Sequence, residues 1–177
     1  MIQPHDDQFV GGQFTWFIGE IKSIADPEKL NRVRVFPFGY YDKDKVKDKD
    51  LPWATVMMPN TSSSYKGIGS NHQLLVGSWV VGFFRDGISC QDPIIMGSIA
   101  TKTDGKTDIP SETQSDYPDN YVHKTKAGHL IELDNTSGKE EIRITHGKKS
   151  NCYIKMHDNG EIDIRGTKIY LNGRRKG

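Results

Sequence analysis

Residues 153–165 read YIKMHDNGEIDIR, with an Asp-Asn-Gly turn signal at positions 158–160. On both sides of this turn, apolar residues alternate with polar ones: Ile154, Met156, Ile162 and Ile164. A period of two sends successive side chains to opposite faces of a β-strand, and Asn and Gly tolerate the backbone angles of tight turns. This stretch therefore predicts two short strands, each with one apolar face.

The same alternation recurs through residues 122–177, where turn residues separate further short strands. The last three apolar pairs start eight and then seven residues apart, a short repeat that is typical of β-solenoids. Because two apolar residues per strand cannot build a core within one chain, we expect several chains to share one interior. The predicted shared core consists of Ile131, Leu133, Ile142, Ile144, Ile154, Met156, Ile162, Ile164, Ile169 and Leu171.

The first part of the chain is also β-rich but has a different pattern. Residues 14–99 contain five short apolar runs separated by Gly, Pro, Asn and Asp, the most apolar being SWVVGFFR at 78–85. Five strands within about 90 residues suggest a small closed Greek-key barrel such as an OB-fold. The sequence thus predicts an all-β chain with four segments: an N-terminal extension at 1–13, an OB-fold domain at 14–100, a linker at 101–121 and a β-helical segment at 122–177.

Composition narrows the function classes. The chain has 177 residues, with 24 Lys+Arg against 23 Asp+Glu and a net charge of +1. This balance argues against a general nucleic-acid or anionic-membrane binder, which usually carries a basic excess. A hydrophobic fraction of 34% is low for the length, as expected of a subunit that completes its core in an oligomer or of a domain with a disordered tail. The polar N-terminal residues do not resemble a signal peptide, and no apolar run approaches the ~18 residues of a membrane span.

Candidate chemical groups do not form a recognisable site. The sequence contains no nucleotide-binding or nucleophile motif, so we expect no catalytic residue, no cofactor and no metal. The two cysteines, Cys90 and Cys152, are expected to be reduced, buried thiols. Four of the histidines fall in the distal segment and could line one outer face, but solvated surface histidines are the favoured interpretation, and a metal held at a threefold axis by one histidine per chain stays an open alternative. None of the six has metal-ligand spacing: His5, His72, His123, His129, His146 and His157.

Alternatives to a structural subunit remain open at this point. Alternating Arg32 and Arg34 could form an OB-type nucleic-acid face with aromatic neighbours, although alternating arginines equally describe a solvent-exposed strand. The aromatic neighbours are Trp16, Phe17 and Tyr40. The second function class is therefore an OB-fold module that binds oligosaccharide or nucleic acid and carries a disordered tail. A cell-wall hydrolase is a third option, without a distinctive carboxylate pair to support it.

Several blocks resemble the central-spike proteins of T-even-like contractile phage tails. The blocks in the first part are TWFIGEI at 15–21, DPEKLNRVRV at 26–35, LPWATV at 51–56, GIG at 67–69, VGSWVVGFF at 76–84 and PIIMGS at 93–98. In the distal part, GHLIELDNT at 128–136 and EIRITHG at 141–147 resemble the start of the needle shared by phage spikes and type VI secretion VgrG proteins.

The resemblance implies a structural role. It implies an OB-fold that docks on the baseplate hub and a short needle in which three chains intertwine as a β-helix or β-prism. Such a homotrimer plugs the tail tube and pierces the host cell envelope on contraction. Its implied partners are hub and tail-tube proteins, the host envelope and a PAAR-like tip protein at the C-terminal end, with no nucleic acid. The implied location is the virion, after synthesis in the host cytoplasm.

One departure from the family pattern concerns activity. T-even-like spikes carry a lysozyme domain between the OB-fold and the needle, whereas only residues 101–121 occupy that place here. A lysozyme needs a helical domain of well over a hundred residues. We therefore expect no enzyme activity from this chain.

Overall fold

The computed structural model describes residues 14–170. This part of the chain contains twelve β-strands and three short 3-10 helices, and none of its helices is long and apolar enough to cross a membrane. The described residues fall into two compact units that divide between Gly105 and Lys106. The all-β class predicted from the sequence is confirmed.

The first unit is a five-stranded barrel that closes in the order β1-β2-β3-β5-β4. All pairs are antiparallel except β3 and β5, which run parallel. This closed barrel confirms the predicted OB-type domain, and its strands follow the apolar runs in the sequence. They are β1 (Thr15–Ser23), β2 (Arg32–Pro37), β3 (Trp53–Val56), β4 (Trp79–Phe84) and β5 (Pro93–Ile99), with 3-10 turns at Asp48–Asp50 and Gly87–Ser89.

The barrel interior is filled by alternate residues of its strands. Phe17 is 1% exposed and packs against Phe84, with their ring centroids 4.8 Å apart. Gly82 makes room for this contact, because a Cβ at that position would lie 2.8 Å from the Phe17 ring and 2.2 Å from the Ile94 carbonyl oxygen. The remaining buried cluster is aliphatic: Ile21, Val33, Val35, Ala54, Val80 and Ile95.

Asp26 organises the connection between β1 and β2. Its carboxylate accepts hydrogen bonds from the backbone N–H groups of Glu28 and Leu30, at 3.1 and 2.9 Å, and from the Arg32 guanidinium at 2.8 and 3.1 Å. The Arg32 contact, followed by the backbone bonds, holds the pKa of the Asp26 carboxyl well below its ordinary value. One acidic side chain therefore fixes a turn that includes Lys29 and Asn31, both at positive φ.

Residues 101–121, predicted as a linker, contain local structure. Two short strands, β6 (Lys102–Thr103) and β7 (Lys106–Thr107), pair with each other. A 3-10 turn follows at Ser111–Gln114, and β8 begins at Asn120. The polar composition of this segment is consistent with its exposure to solvent, but it did not predict these short strands and the 3-10 turn.

The second unit is a five-stranded antiparallel meander in the order β12-β11-β10-β9-β8. Its turns use glycine at positive φ, including Gly138 at 76° and Gly160 at 85°. A tight turn reverses the chain, so each strand pairs with its predecessor. The strands are β8 (Asn120–Lys124), β9 (Leu130–Asp134), β10 (Glu141–His146), β11 (Lys149–His157) and β12 (Ile162–Arg165).

The meander differs from the solenoid that the short sequence repeat suggests. In a solenoid, successive rungs stack in parallel, whereas here neighbouring strands hydrogen-bond in antiparallel pairs within one chain. The alternation correctly located the strands but carried no information on their relative direction. An intertwined β-helix or a β-prism would therefore form only when several chains assemble.

Alanine substitutions on β1 should lower the free energy of unfolding more at inward-facing positions than at outward-facing ones. We expect Phe17→Ala to lower the free energy of unfolding by about 3–5 kcal/mol, because it leaves a cavity against Phe84. The matched change Trp16→Ala, at a side chain that is 56% exposed, should cost less than half as much. Urea unfolding followed by circular dichroism measures both, and equal losses would contradict the assigned strand orientation.

The Asp26 interaction should appear in the pH dependence of stability. Since the pKa of Asp26 is lowered in the folded chain, its contribution is complete above the unfolded value of about 3.9 and is lost as pH falls toward the folded value. Asp26→Asn should therefore be less stable than the parent at pH 6, and the difference should shrink between pH 4 and pH 2. A difference in unfolding free energy that stays constant over this range would show that the carboxylate charge is unimportant.

Candidate functional site: an exposed apolar face

One face of the meander carries two rows of apolar side chains. Strand register places residues of all five strands directly opposite one another, so each row runs across the whole sheet. The first row is Tyr121, Leu133, Ile142, Met156 and Ile162. The second row is His123, Ile131, Ile144, Ile154 and Ile164. We call the eight aliphatic and methionine side chains of these two rows the apolar face.

The apolar face is uncovered in a single chain. Its side chains range from 41% exposed at Ile154 to 60% exposed at Ile162. Scattered exposed apolar residues are normal in soluble proteins, but contiguous patches mark contact sites. The eight residues of the apolar face lie in two adjoining rows and therefore form a contiguous patch, which indicates a contact site.

The opposite face of the same sheet is polar and internally paired. Glu141 forms ion pairs with Arg143, at 2.7 Å, and with Lys155. Arg143 also contacts Glu132 at 3.4 Å. A sheet with charges paired on one side and aliphatic groups exposed on the other has a solvent side and a contact side.

The 3-10 turn at Ser111–Gln114 covers one edge of the polar face. The Asn120 side chain donates to the Glu112 carbonyl at 3.2 Å and to the Glu132 carboxylate at 3.4 Å. The Lys124 ammonium contacts the Glu112 carboxylate at 2.6 Å and, as the largest cause, lowers the pKa of Glu112. Asn120 and Glu132 are consequently the buried polar residues in the part of the chain that the structure describes.

Most of the predicted shared-core residues lie together. The eight that belong to strands form the apolar face, in the two-row arrangement described above. Ile169 follows β12 outside any strand and is 52% exposed. Leu171 lies outside the described residues. The structure therefore brings eight of the ten onto one surface, and their burial in an assembly stays a prediction.

A shallow depression of about 530 Å³ lies at one end of the apolar face. Its lining includes Ile144, Ile154 and Ile164 of the apolar face, and also Lys168. Three histidines also line the depression. They are His123, His129 and His146, and no carboxylate is among the lining residues.

The histidines divide between the two faces of the sheet. His129 and His146 lie one position beyond the second apolar row, with ring centroids 4.7 Å apart and nearly perpendicular planes. His157 instead lies on the polar face, 3.2 Å from Asp163. The expectation that four distal histidines could line one face is therefore wrong for His157, because its position in β11 has the opposite parity.

Residues 14–170 contain neither a candidate metal site nor a disulfide bond. No group of three or more His, Cys, Asp or Glu side chains in this range is arranged to hold a metal ion. Cys90 and Cys152 are both free thiols. Cys90 is only half-buried and Cys152 is exposed, so the prediction of two buried thiols is wrong for both.

The residues suggested for a nucleic-acid face have different surroundings on the barrel: Trp16 and Tyr40 are 56% and 41% exposed, whereas Phe17 is buried. Phe17 belongs to the core and cannot stack on a base. Arg32 is neutralised by Asp26 and Glu28, at 2.8 and 2.7 Å. Arg34 lies 4.6 Å over the ring of Trp53. Of the residues suggested for this face, the arginines are occupied by neighbours in the same chain.

Comparison with known proteins identifies relatives. A family model described as "Gp5 N-terminal OB domain" matches residues 40–165, which is 126 of the 177 residues. The matched range begins after β2 and extends through β12, so it spans parts of both units. The inclusion of β1 and β2 in the barrel follows from their strand pairing.

Two phage proteins are similar in sequence. The "Pre-baseplate central spike protein Gp5" of Enterobacteria phage T4 is 32% identical over 87 residues, covering 45% of this chain and 15% of the relative. "Protein Gp5" of Vibrio phage KVP40 is 33% identical over 263 residues, covering 90% of this chain and 62% of the relative. The chain thus spans less than two thirds of either relative.

The second alignment also reveals a difference in length. It extends over 263 positions, whereas this chain has 177 residues. At least 86 aligned positions of the Vibrio phage protein therefore have no counterpart here. The relative contains a substantial piece of chain that this protein lacks.

Proposed function

Because the chain belongs to the Gp5 N-terminal OB domain family, we propose that it is a structural central spike of a contractile tail baseplate. The observation that carries the proposal is the uncovered apolar face of the meander. A surface of this kind has to be covered in the working protein, and the proposed cover is two further copies of the same chain. The protein then acts as a homotrimer whose distal segments share one interior.

The size of the apolar face supports assembly. Fully burying a Leu, Ile or Met side chain contributes about 1.5–3 kcal/mol. Roughly half of this gain is still available at each of the eight side chains, on the order of 6–12 kcal/mol per copy. Each of the two association steps that build a trimer costs about 4–15 kcal/mol in lost freedom, whereas burying three faces contributes on the order of 18–36 kcal/mol. The balance favours a stable assembly.

The pairing within each meander favours a β-prism over an intertwined β-helix. Every inner strand already has hydrogen-bonded neighbours on both sides within its own chain. Among the described strands, only the edge strands β8 and β12 keep a backbone edge that another copy could pair with, so most of the shared contact would be made by side chains. Three one-sided sheets that face a common axis would bury their apolar rows and leave their paired charges in water.

The wider role follows from the resemblance and from the name of the phage T4 relative. The barrel would dock on baseplate hub proteins, and the trimer would plug the tail tube. On contraction, the spike would be driven through the host envelope, with a PAAR-like tip protein at its C-terminal end. The protein would be a virion component made in the host cytoplasm, with no cofactor and no nucleic-acid partner.

The proposed action is mechanical rather than enzymatic. Related spikes carry a lysozyme domain between the OB-fold and the needle, and residues 101–121 are too few for one. The alignment with the Vibrio phage protein, longer than this chain by 86 positions, is consistent with a missing domain. Cell-wall degradation would then belong to another component.

Substitutions on adjacent positions of β12 test the shared interior. Ile164 lies on the apolar face opposite Ile154, and Arg165 points to the other side of the sheet. In a trimer, Ile164→Lys would bring three ammonium groups into one apolar layer, at a cost of several kcal/mol for each unpaired charge. We expect the parent and Arg165→Ala to have a molar mass near three times 20.0 kDa by light scattering, and Ile164→Lys to dissociate.

The same pair of variants distinguishes the alternative function class. Since Ile164 is 54% exposed in a single chain, a monomeric protein would tolerate lysine there. A parent mass of 20.0 kDa at micromolar concentration, with both variants folded and equally stable, would overturn the trimer and favour a monomeric binding module.

Purified protein should not degrade peptidoglycan. We expect no clearing of a cell-wall suspension over the rate of buffer alone, because no lysozyme-sized domain separates the barrel from the meander. Hen egg-white lysozyme in the same assay provides the positive control. Clearing that disappears on substitution of one carboxylate would contradict the non-enzymatic assignment.

A further inference from the structure

We propose that the histidine-lined end of the apolar face makes the assembly acid-sensitive, so that falling pH separates the copies at that end. The inference rests on the proposed trimer, because it concerns groups that the other copies would cover. It adds a regulatory property to the spike that its structural role does not require.

The two central histidines are fixed in contact with each other. His129 begins the approach to β9 and His146 ends β10, and their rings meet edge to face at 4.7 Å. The backbone N–H of His129 donates to the Thr125 hydroxyl at 3.1 Å. Both rings line the depression together with Ile131 and Ile144, at the end of the apolar face.

A hydrogen bond joins one ring nitrogen of His129 to the backbone. The Gly147 N–H donates to Nδ1 of His129 at 3.2 Å, which requires an unprotonated Nδ1. Gly147 packs closely against the backbone of residues 127–129, because a Cβ at this position would lie 2.1 Å from the Ala127 carbonyl oxygen. Protonation at Nδ1 would replace this bond by a contact between two donors.

The surroundings offer no negative charge to an imidazolium. The titratable and charged groups around this end come from β8, β11, β12, the adjoining turns and the segment after β12. They are His123, Cys152 and Lys168, together with Lys149 opposite His146 and with Lys126 and Lys148 in the adjoining turns. Tyr153 and Arg165 also contribute atoms to the lining but have the parity of the polar face. None of them is a carboxylate, so a second charge on the His129–His146 pair would meet only cations and neutral groups.

Assembly amplifies this effect. Histidine is the side chain that ordinarily gains its proton between pH 8 and pH 5. In separate copies a charged imidazole can be hydrated, whereas between copies it would lie beside apolar rows and the matching histidines of two neighbours. Covering this end would therefore oppose a positive charge on these rings, and we expect association of the copies to weaken in acid.

The test compares association of the full chain at pH 8 and pH 5 by sedimentation equilibrium. We expect the dissociation constant of the trimer to rise at least tenfold at pH 5. The readout is association rather than unfolding, because His72 in the barrel, whose pKa is lowered by burial, also disfavours acid. Carboxylates remain largely ionised at pH 5.

Variants assign the effect to these rings. His129→Gln combined with His146→Phe keeps an acceptor for Gly147 and an aromatic ring but removes both titrating groups. This double variant should assemble at pH 8 and lose most of the acid effect, and His146→Phe alone should lose part of it. The matched control His157→Gln, on the polar face, should keep the whole effect.

The outcomes separate this inference from the proposed function. A protein that is monomeric at pH 8 overturns the trimer itself. A trimer whose dissociation constant is unchanged at pH 5 leaves the proposed function intact and overturns the acid sensitivity. Acid dissociation that persists in the double variant also overturns the assignment to His129 and His146.

Discussion

The one-sided distribution of aliphatic side chains on the distal meander is the constraint on which the account depends. Backbone hydrogen bonds hold the five strands together within one chain, and ion pairs around Glu141 satisfy one face. The other face presents two rows that a single copy leaves about half exposed. Covering these rows would remove a contiguous apolar surface from water, and we propose that identical copies supply the cover.

Much of the arrangement could be predicted from the sequence because strand parity is a local property. Alternation at 142–144 and 162–164 placed these residues on one face without knowledge of their neighbours. In the barrel, the apolar runs located five strands, and Gly82 sits where Phe17 needs space. The positions of the strands and the face on which each residue lies depend on spacing along the chain, and this spacing can be read from the sequence.

Strand direction and fine burial could not be predicted in the same way. A repeat of seven or eight residues fits a solenoid rung and a hairpin equally, and only the turns at Gly138 and Gly160 decide between them. The parity of His157 separates it from His129 and His146, a distinction that the overall histidine count conceals. Likewise, the burial of Glu132 depends on the Ser111–Gln114 turn, which polar composition did not indicate.

The most direct test of the shared interior is the rate of methionine oxidation by hydrogen peroxide in the native protein. Met156 lies on the apolar face and is 43% exposed in a single chain, similar to Met57 and Met96 of the barrel at 48% and 52%. Oxidation follows solvent access. If copies cover the apolar face, peptide mass spectrometry at pH 8 should find Met156 oxidised at least tenfold more slowly than the two barrel methionines. Equal rates at all three positions would show that the face is open to solvent and would contradict the account.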